Sequence, residues 1–334
     1  MPNPYQAEQD AAIRAVRLAD HVCADVRARL VDADSVTKGD KSPVTIADFG
    51  AQALVLRELA LAYPDVPVVA EEDASDLLGD EAADLRQRVL EAVNAVSPGV
   101  ADDEWIAAIG RGQHAGGASG RFWTLDPIDG TKGFLRNDQY AVALALIEDG
   151  EPVLGVLGCP ALPQDWRATD GPTGCLLVAA KGQGIALLDL HGDPLGPVEV
   201  SRQDDLSGST FCESVESGHS RHDWAEGVAR ALGITAPSVR MDSQCKYAAI
   251  ARGDADIYLR LPTRPGYQEK IWDHAAGALC VTEAGGRVTD IAGAPLDFSQ
   301  GRTLARNRGV VATNGLNHET VVAAVKAHAP AEVA

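Results

Sequence analysis

The sequence predicts a mixed α/β protein, organised as two packed domains or one large α/β unit. Three observations lead to that class. A chain of 334 residues exceeds what one minimal core needs. Apolar runs of strand length alternate with longer stretches in which apolar residues recur at the helical period. Two of the apolar runs stop abruptly at carboxylates, and strand ends are where α/β proteins place reactive side chains. With 46% hydrophobic and 23% charged residues, the chain can bury a substantial interior and lacks the profile of a disordered segment.

Residues 5–33 read as a helix, because Ala12, Ile13, Val16, Leu18, Val22 and Val26 recur near the helical period. A polar loop from Lys38 to Lys41 leads to Ser42-Pro43-Val44-Thr45, which opens a second amphipathic helix through about Tyr63, with Asp48 in its first turns. Val66-Pro67-Val68-Val69-Ala70 has strand character and ends in Glu71-Glu72-Asp73, followed by an acidic, largely helical region to residue 97. After a Gly- and Ala-rich loop (110–120), the strand Phe122-Trp123-Thr124-Leu125 runs into Asp126-Pro127-Ile128-Asp129-Gly130-Thr131. Asp149-Gly150, between the apolar runs 140–147 and 152–157, marks a hairpin. In the second half, strands are expected at 175–180 and 184–189, helices at 222–232 and 241–253, and a strand at 255–261. A last helix is expected to open at Ile271-Trp272-Asp273 and to stop at Gly285-Gly286.

Acidic residues outnumber basic ones by 48 to 29, a formal charge of −19, so the average field repels nucleic-acid polymers and anionic membranes. A phosphorylated ligand must therefore meet a local positive site or bound cations. Six cysteines without a Cys-x-x-Cys pair read as free thiols. The N-terminal segment has acids and amphipathic spacing instead of a basic, apolar leader, and no long apolar run occurs; a soluble, cytoplasmic protein is expected.

Glu71, Asp126, Asp129 and Asp273 sit where a periodic core would not want a charge. Oxygen ligands of this kind suit Mg²⁺, and clustered carboxylates that converge away from water need cations to stay ionised. One acid alone means little, since Asp at a helix start is commonly a cap and acids after strands commonly solvate a loop. The pattern around Asp126 carries more. Pro127 removes a donor and helps hold a turn in which Asp126, the Ile128 carbonyl and Asp129 face one centre. The Gly130 and Thr131 amides, at a helix start, can receive phosphate oxygens.

Four segments identify the chain as resembling the lithium-sensitive, magnesium-dependent phosphatase superfamily of inositol monophosphatase: 42–48 (Ser-Pro-Val-Thr-Ile-Ala-Asp), 69–73 (Val-Ala-Glu-Glu-Asp), 126–134, which begins Asp-Pro-Ile-Asp-Gly-Thr, and 272–277, which begins Trp-Asp-His. Within it, the segments 132–136, 215–220, 242–247, 258–262 and 267–273 resemble the 3′(2′),5′-bisphosphate nucleotidases. The resemblance implies a fold that is α+β and α/β, a layered α-β-α-β-α sandwich of the inositol monophosphatase and sugar phosphatase type. An N-terminal α+β domain (1–158) would hold most metal ligands, and a C-terminal α/β domain (159–334) would close the nucleotide site. It implies two or three Mg²⁺ ions on Glu71, Asp126, the Ile128 carbonyl, Asp129 and Asp273, and a water-activating pair of Asp48 and Thr131. It further implies substrate contacts from Gly130, Thr131, His219, Ser243, Lys246 and Arg260. Ala70 stands where many relatives have glycine.

The activity so implied is hydrolysis of adenosine 3′,5′-bisphosphate to AMP and phosphate, with 3′-phosphoadenylyl sulfate as a related substrate and a place in sulfur assimilation. Two metals bridged by Asp126 would relieve the repulsion between phosphate and hydroxide, Thr131 would bond the water, and Asp48 would take its proton. The partner is a small phosphorylated nucleotide, and the protein a monomer or homodimer. An inositol phosphate or sugar bisphosphate phosphatase of the same superfamily is the close rival, and a non-catalytic nucleotide sensor is one of another class. Aspartyl-phosphate phosphatases also use an Asp-Gly-Thr ending, but their two aspartates are one residue apart and near the N-terminus, unlike Asp126 and Asp129. His274 reads as a packing residue beside Asp273.

Overall fold

Small and branched side chains on one face of the first helix, from Ala11 through Val16 and Val22 to Val26, are all buried, and they set that helix against its neighbours. The structure is a computed structural model that describes residues 3–32, 42–168, 170–215 and 221–330. Helix α1 (Gln6–Asp32) packs on α2 (Ser42–Ala62), whose residues 44–56 are nearly all buried. The expected loop from Lys38 to Lys41 lies outside the described residues. Next come β1 (Val68–Ala70), α3 (Ala83–Val96), α4 (Asp102–Gly110), β2 (Arg121–Asp129) and α5 (Thr131–Leu135). Strands β3 (Ala141–Glu148) and β4 (Glu151–Pro163) form the expected hairpin, with Asp149 and Gly150 both at positive φ. They lead to β5 (Thr173–Ala180), β6 (Gly184–Leu188) and β7 (Pro194–Gly196).

The seven strands form one sheet in sequence order, antiparallel throughout except for the parallel pair of β1 and β2. Both faces of the sheet are covered. On β3, Val142, Leu144 and Leu146 join the core made with α1 and α2, while Ala141, Ala143, Ala145 and Ile147 face the second core. The small residues on that second face let a helix lie close, and a Cβ on Gly155 of β4 would come 3.0 Å from the Ala276 carbonyl oxygen.

The remaining elements are β8 (Phe211–Glu213), α6 (His222–Ala231), β9 (Val239–Arg240), α7 (Cys245–Ala251), β10 (Ile257–Arg260), α8 (Ala275–Glu283), β11 (Arg287–Thr289), β12 (Val310–Thr313) and α9 (His318–Ala327). Five strands make a second sheet in the order β11-β12-β10-β8-β9. Helices α7 and α8 fill the space between the two sheets, and α6 and α9 cover the far side of the second sheet with Trp224, Val228, Val321 and Val325. The result is the layered α-β-α-β-α arrangement. The division drawn between residues 158 and 159 falls inside β4, which continues from one half into the other. All six cysteines are free and buried, and no helix among the described residues is long and apolar enough to cross a membrane.

Three local differences from the sequence reading have physical causes. Strand β2 continues through Asp126 to Asp129 instead of turning at Asp126, and its pairing with β3 slips there, so that Asp126 and Asp129 oppose Ala143 and Ala141. Three steps on β2 match two on β3, a bulge at the one segment where Pro127 has no N–H to donate. Helix α7 starts at Cys245, not at Met241, because Ser243 holds a left-handed φ of 66°. Helix α8 starts at Ala275, not at Ile271, since His274 precedes it with a non-helical φ of −137°. Helix α4, strands β7, β8, β9, β11 and β12, and helix α9 were not marked in the sequence. The strands are only two to four residues long, and the seven residues of α4 after its opening aspartates are too few for a period to emerge.

Candidate active site

Strand alternation alone would send Asp126 and Asp129, three residues apart, to opposite faces of the sheet. The extra residue in the β2 bulge resets the phase, and both acids line a single cavity of about 410 Å³. Parallel pairing of β1 with β2 sets Ala70 beside Leu125, so Glu71 follows next to Asp126. Asp273 enters the same cavity from the segment ahead of α8, and Ile128 lines it too. The five residues expected to hold metal therefore reach one cavity from β1, β2 and the α8 approach.

The cavity is electrostatically unfinished. Loss of water in the recess, followed by the charges of Asp273 and Glu72, pushes the Glu71 carboxyl up to about 8, even though its surface stays exposed on the cavity side. Burial, Glu71, Asp129 and Asp273 together hold Asp126 well above the ordinary carboxylate range. Its Oδ1 is buried with no hydrogen-bond partner. Burial and Asp273 likewise raise Asp129, against the opposing pull of Lys246, Arg260 and the Gln244 amide, which donates to Asp129 Oδ2 at 2.5 Å. An orphaned buried carboxylate oxygen among repelling acids is what a hard divalent cation relieves, and an all-oxygen donor set fits Mg²⁺.

The same cavity also carries basic groups. Ser243, Lys246 and Arg260 line it together with Lys132 and Tyr267. Lys246 is buried, with its Nζ 3.5 Å from the Met241 carbonyl oxygen and 5.5 Å from the centre of the Tyr258 ring. Burial lowers its pKa, and Asp129 works against that. Gly130 caps α5 at a φ of 94°, and a Cβ there would stand 2.8 Å from Ser243 Cβ, so only glycine lets β2 and the approach to α7 meet at this point. Thr131 lines the cavity beside it. Asp48, buried on α2, is raised well above the usual range by burial and then by Glu72 and Glu71, and the structure records no hydrogen bond between it and Thr131. His219 lies outside the described residues.

Sequence reasoning missed the residues that aim these groups. Gln52, buried on α2, accepts from the Glu72 amide at 3.0 Å and donates to the Glu72 carbonyl at 2.8 Å, which pins the chain just after Glu71. Buried Gln244 donates to the Trp272 carbonyl at 2.9 Å and accepts from the Gly277 amide at 3.1 Å, so the residue whose amide holds Asp129 also fixes both sides of Asp273. Arg302 donates to the carbonyls of Ala70, Gly112 and His114 and stacks its guanidinium 4.9 Å from the centre of the Trp272 ring. It thereby grips the residues that precede Glu71 and Asp273. A glutamine inside an apolar helix was the one available signal; Arg302 gave none.

Arg302→Met keeps an unbranched stem and loses all three hydrogen bonds. Supporting groups of this kind are worth about ten- to a hundredfold in metal affinity. The magnesium concentration for half-maximal activity is therefore expected to rise at least tenfold, and an unchanged requirement would remove Arg302 from this role.

Among the described residues, the group of three potential ligands within 4.8 Å of one another is Glu269, Asp273 and His274. It is not a second metal centre. Arg260 already lies between its acids, with Nε 2.7 Å from Glu269 and Nη2 3.1 Å from Asp273. Glu71, Asp126, Asp129 and Asp273 line the one cavity described above.

Comparison with known proteins places this geometry among relatives. A family model described as the inositol monophosphatase family matches residues 5–329. A 3′(2′),5′-bisphosphate nucleotidase of Schizosaccharomyces pombe is 47% identical over 340 residues, covering 97% of this chain and 96% of the relative. A 3′(2′),5′-bisphosphate nucleotidase of Oryza sativa is 45% identical over 331 residues, covering 93% and 91%. Among solved structures, inositol monophosphatases from Anabaena and Zymomonas mobilis share the fold, with TM-scores of 0.61 and 0.63 at 23% and 18% identity. The first covers 98% of each chain; the second covers 97% of this chain and 99% of the other.

Proposed function

Because the chain belongs to the inositol monophosphatase family, we propose that it is a magnesium-dependent 3′(2′),5′-bisphosphate nucleotidase that converts adenosine 3′,5′-bisphosphate to AMP and phosphate. The observation that carries this reading is one cavity lined both by four acids, Glu71, Asp126, Asp129 and Asp273, and by Ser243, Lys246 and Arg260. A monophosphate needs only the acids and their cations. A second anion needs fixed donors of its own, and in a chain with a net charge of −19 these must be local. The 47% and 45% identical relatives carry the same named activity and support the choice of substrate class.

Magnesium, when bound, supplies positive charge to the phosphoryl group and acidifies water. Glu71, Asp126, the Ile128 carbonyl, Asp129 and Asp273 hold it. The protein's part in the chemistry is to place a water and take its proton. Thr131 Oγ1 at the start of α5 orients the water, and the Asp48 carboxylate is the final proton acceptor. The free Gly130 and Thr131 amides at the helix start meet the phosphate oxygens. Lys246 and Arg260 retain the phosphate that stays, and Ser243 contacts the nucleoside, together with His219 if the resemblance holds there. Attack by water needs no covalent enzyme intermediate.

A substrate panel with free-phosphate detection tests this. Release from adenosine 3′,5′-bisphosphate or 3′-phosphoadenylyl sulfate, dependent on magnesium and far above that from inositol phosphates, is expected. Preference for an inositol phosphate would reassign the substrate, and no magnesium-dependent release at all would leave a nucleotide sensor. Lys246→Ala is expected to raise KM for the bisphosphate at least tenfold more than KM for a monophosphate, the scale of one lost charge-assisted bond. Equal effects on both substrates would take Lys246 out of the second-phosphate site.

A further inference from the structure

Glu269 has no role in the chemistry set out so far, yet it is 97% buried and charged beside the cavity (3% exposed). Its Oε2 accepts from Arg260 Nε at 2.7 Å and meets His274 Nε2 at 3.2 Å. His274, fully buried, meets the Tyr247 hydroxyl through Nδ1 at 2.7 Å. Tyr247 is itself wedged against Gly277 of α8, where an added Cβ would stand 2.4 Å from its ring. A chain of bonded groups therefore runs from the packed layer between the sheets to the Arg260 guanidinium that lines the cavity.

Arg260 has a competing partner. Its Nη2 lies 3.1 Å from Oδ2 of Asp273. A guanidinium can fork onto one carboxylate through two parallel N–H···O bonds. Glu269 takes the Nε and so limits Arg260 to a single contact with Asp273. Burial pushes the Glu269 carboxyl up, but Arg260 and His274 outweigh it and keep the group ionised.

We propose that Glu269, buttressed by His274 and Tyr247, is a specificity-determining positioning residue: it clamps Arg260 through its Nε, limits its contact with Asp273 to a single bond, and leaves the rest of the guanidinium for the phosphate that is not cleaved. This rests on the bisphosphate reading above. Two effects of removing Glu269 oppose each other. Loss of a negative charge near an anion favours phosphate binding, while release of the guanidinium lets it fold onto Asp273. A fixed fork contributes more to phosphate recognition than one partly screened charge, so orientation wins.

The experiment compares steady-state kinetics of the full chain with magnesium on adenosine 3′,5′-bisphosphate and on a nucleoside monophosphate. For Glu269→Gln, the ratio of kcat/KM for the bisphosphate to that for the monophosphate is expected to fall at least tenfold, with the change in KM. Tyr247→Phe deletes one hydroxyl at the far end of the chain and is expected to shift the ratio the same way by a few-fold, which keeps the test open should Glu269→Gln not fold. A ratio within twofold of wild type in the folded variants, or a lower KM for the bisphosphate, overturns the proposal. Wild type without a preference for the bisphosphate would remove the nucleotidase reading and this inference with it; a wild-type preference with unaltered variants removes only the role of Glu269.

Discussion

Asp126→Asn is expected to lower kcat by roughly a thousandfold while the metal-free protein becomes harder to unfold. The first effect follows from position. Asp126 is 2% exposed at the bulge of β2 and has the acids Glu71, Asp129, Asp273 and Asp48 around it. An amide of the same shape keeps the packing but carries no charge for a cation. Losing one ligand of a cation that would be held here would forfeit several kcal/mol of transition-state stabilisation, about three powers of ten in rate. The second effect has the opposite sign because, without metal, the Asp126 carboxylate is a liability. Its Oδ1 has no partner, and its neighbours repel it. A neutral side chain removes that repulsion, and the gain should grow with pH as more of the surrounding carboxyls ionise. Turnover at saturating magnesium and thermal melts in chelator at pH 8 check the two halves. Near-normal turnover, or a melting temperature below that of wild type, would contradict the account.

Magnesium is expected to raise the melting temperature by about 5 °C at pH 8, a stabilisation of the size given by ligand at a hundred times its Kd, and far less at pH 5. Glu71 is pushed up to about 8 by burial, Asp273 and Glu72, and Glu72 to about 7 by burial and Asp76, both from an ordinary 4.5. The folded protein thus keeps protons that the unfolded chain has released. Such groups contribute stability in full below about 4.5, and the contribution is lost as pH rises through 7 and 8. Cations replace the missing protons, so their stabilising effect must grow over the same window. Using the difference between melts with magnesium and with chelator cancels the titration of surface groups that both samples share. A difference that does not vary with pH would show that the raised carboxyls and the metal do not compete.

Much of this site was legible in the chain. Glu71 and Asp126 announced themselves because an apolar, strand-length run ended on each, and Asp129, Gly130 and Thr131 followed in a turn-rich string that no core would use. The layered fold came through resemblance, since alternation and periodicity alone gave only a mixed α/β class. The sequence was silent wherever placement depends on a partner far along the chain. Arg302 lies more than 230 residues from the Ala70 carbonyl it grips, and nothing around it distinguishes it from a surface cation. Glu269 looked like one more acid in an acidic protein, and only burial against Arg260 and His274 gives it a task. The late starts of α7 and α8 have the same origin, because Ser243 and His274 take non-helical backbone angles that tertiary contacts impose against local preference.

By itself the sequence determined the chemical inventory: which oxygen ligands are present, that a phosphate-cradling turn follows a strand, and that any anion must be met by a few local cations in a strongly acidic chain. Residue types and short-range spacing suffice for that, because ligand hardness and turn geometry are local properties. Only the tertiary structure decided that Asp126 and Asp129 share a face, through the bulge opposite Ala143 and Ala141, and that Arg260 stands between Glu269 and Asp273. Register and long-range pairing are settled by packing the two sheets against α7 and α8, a many-body outcome that no stretch of the chain encodes alone.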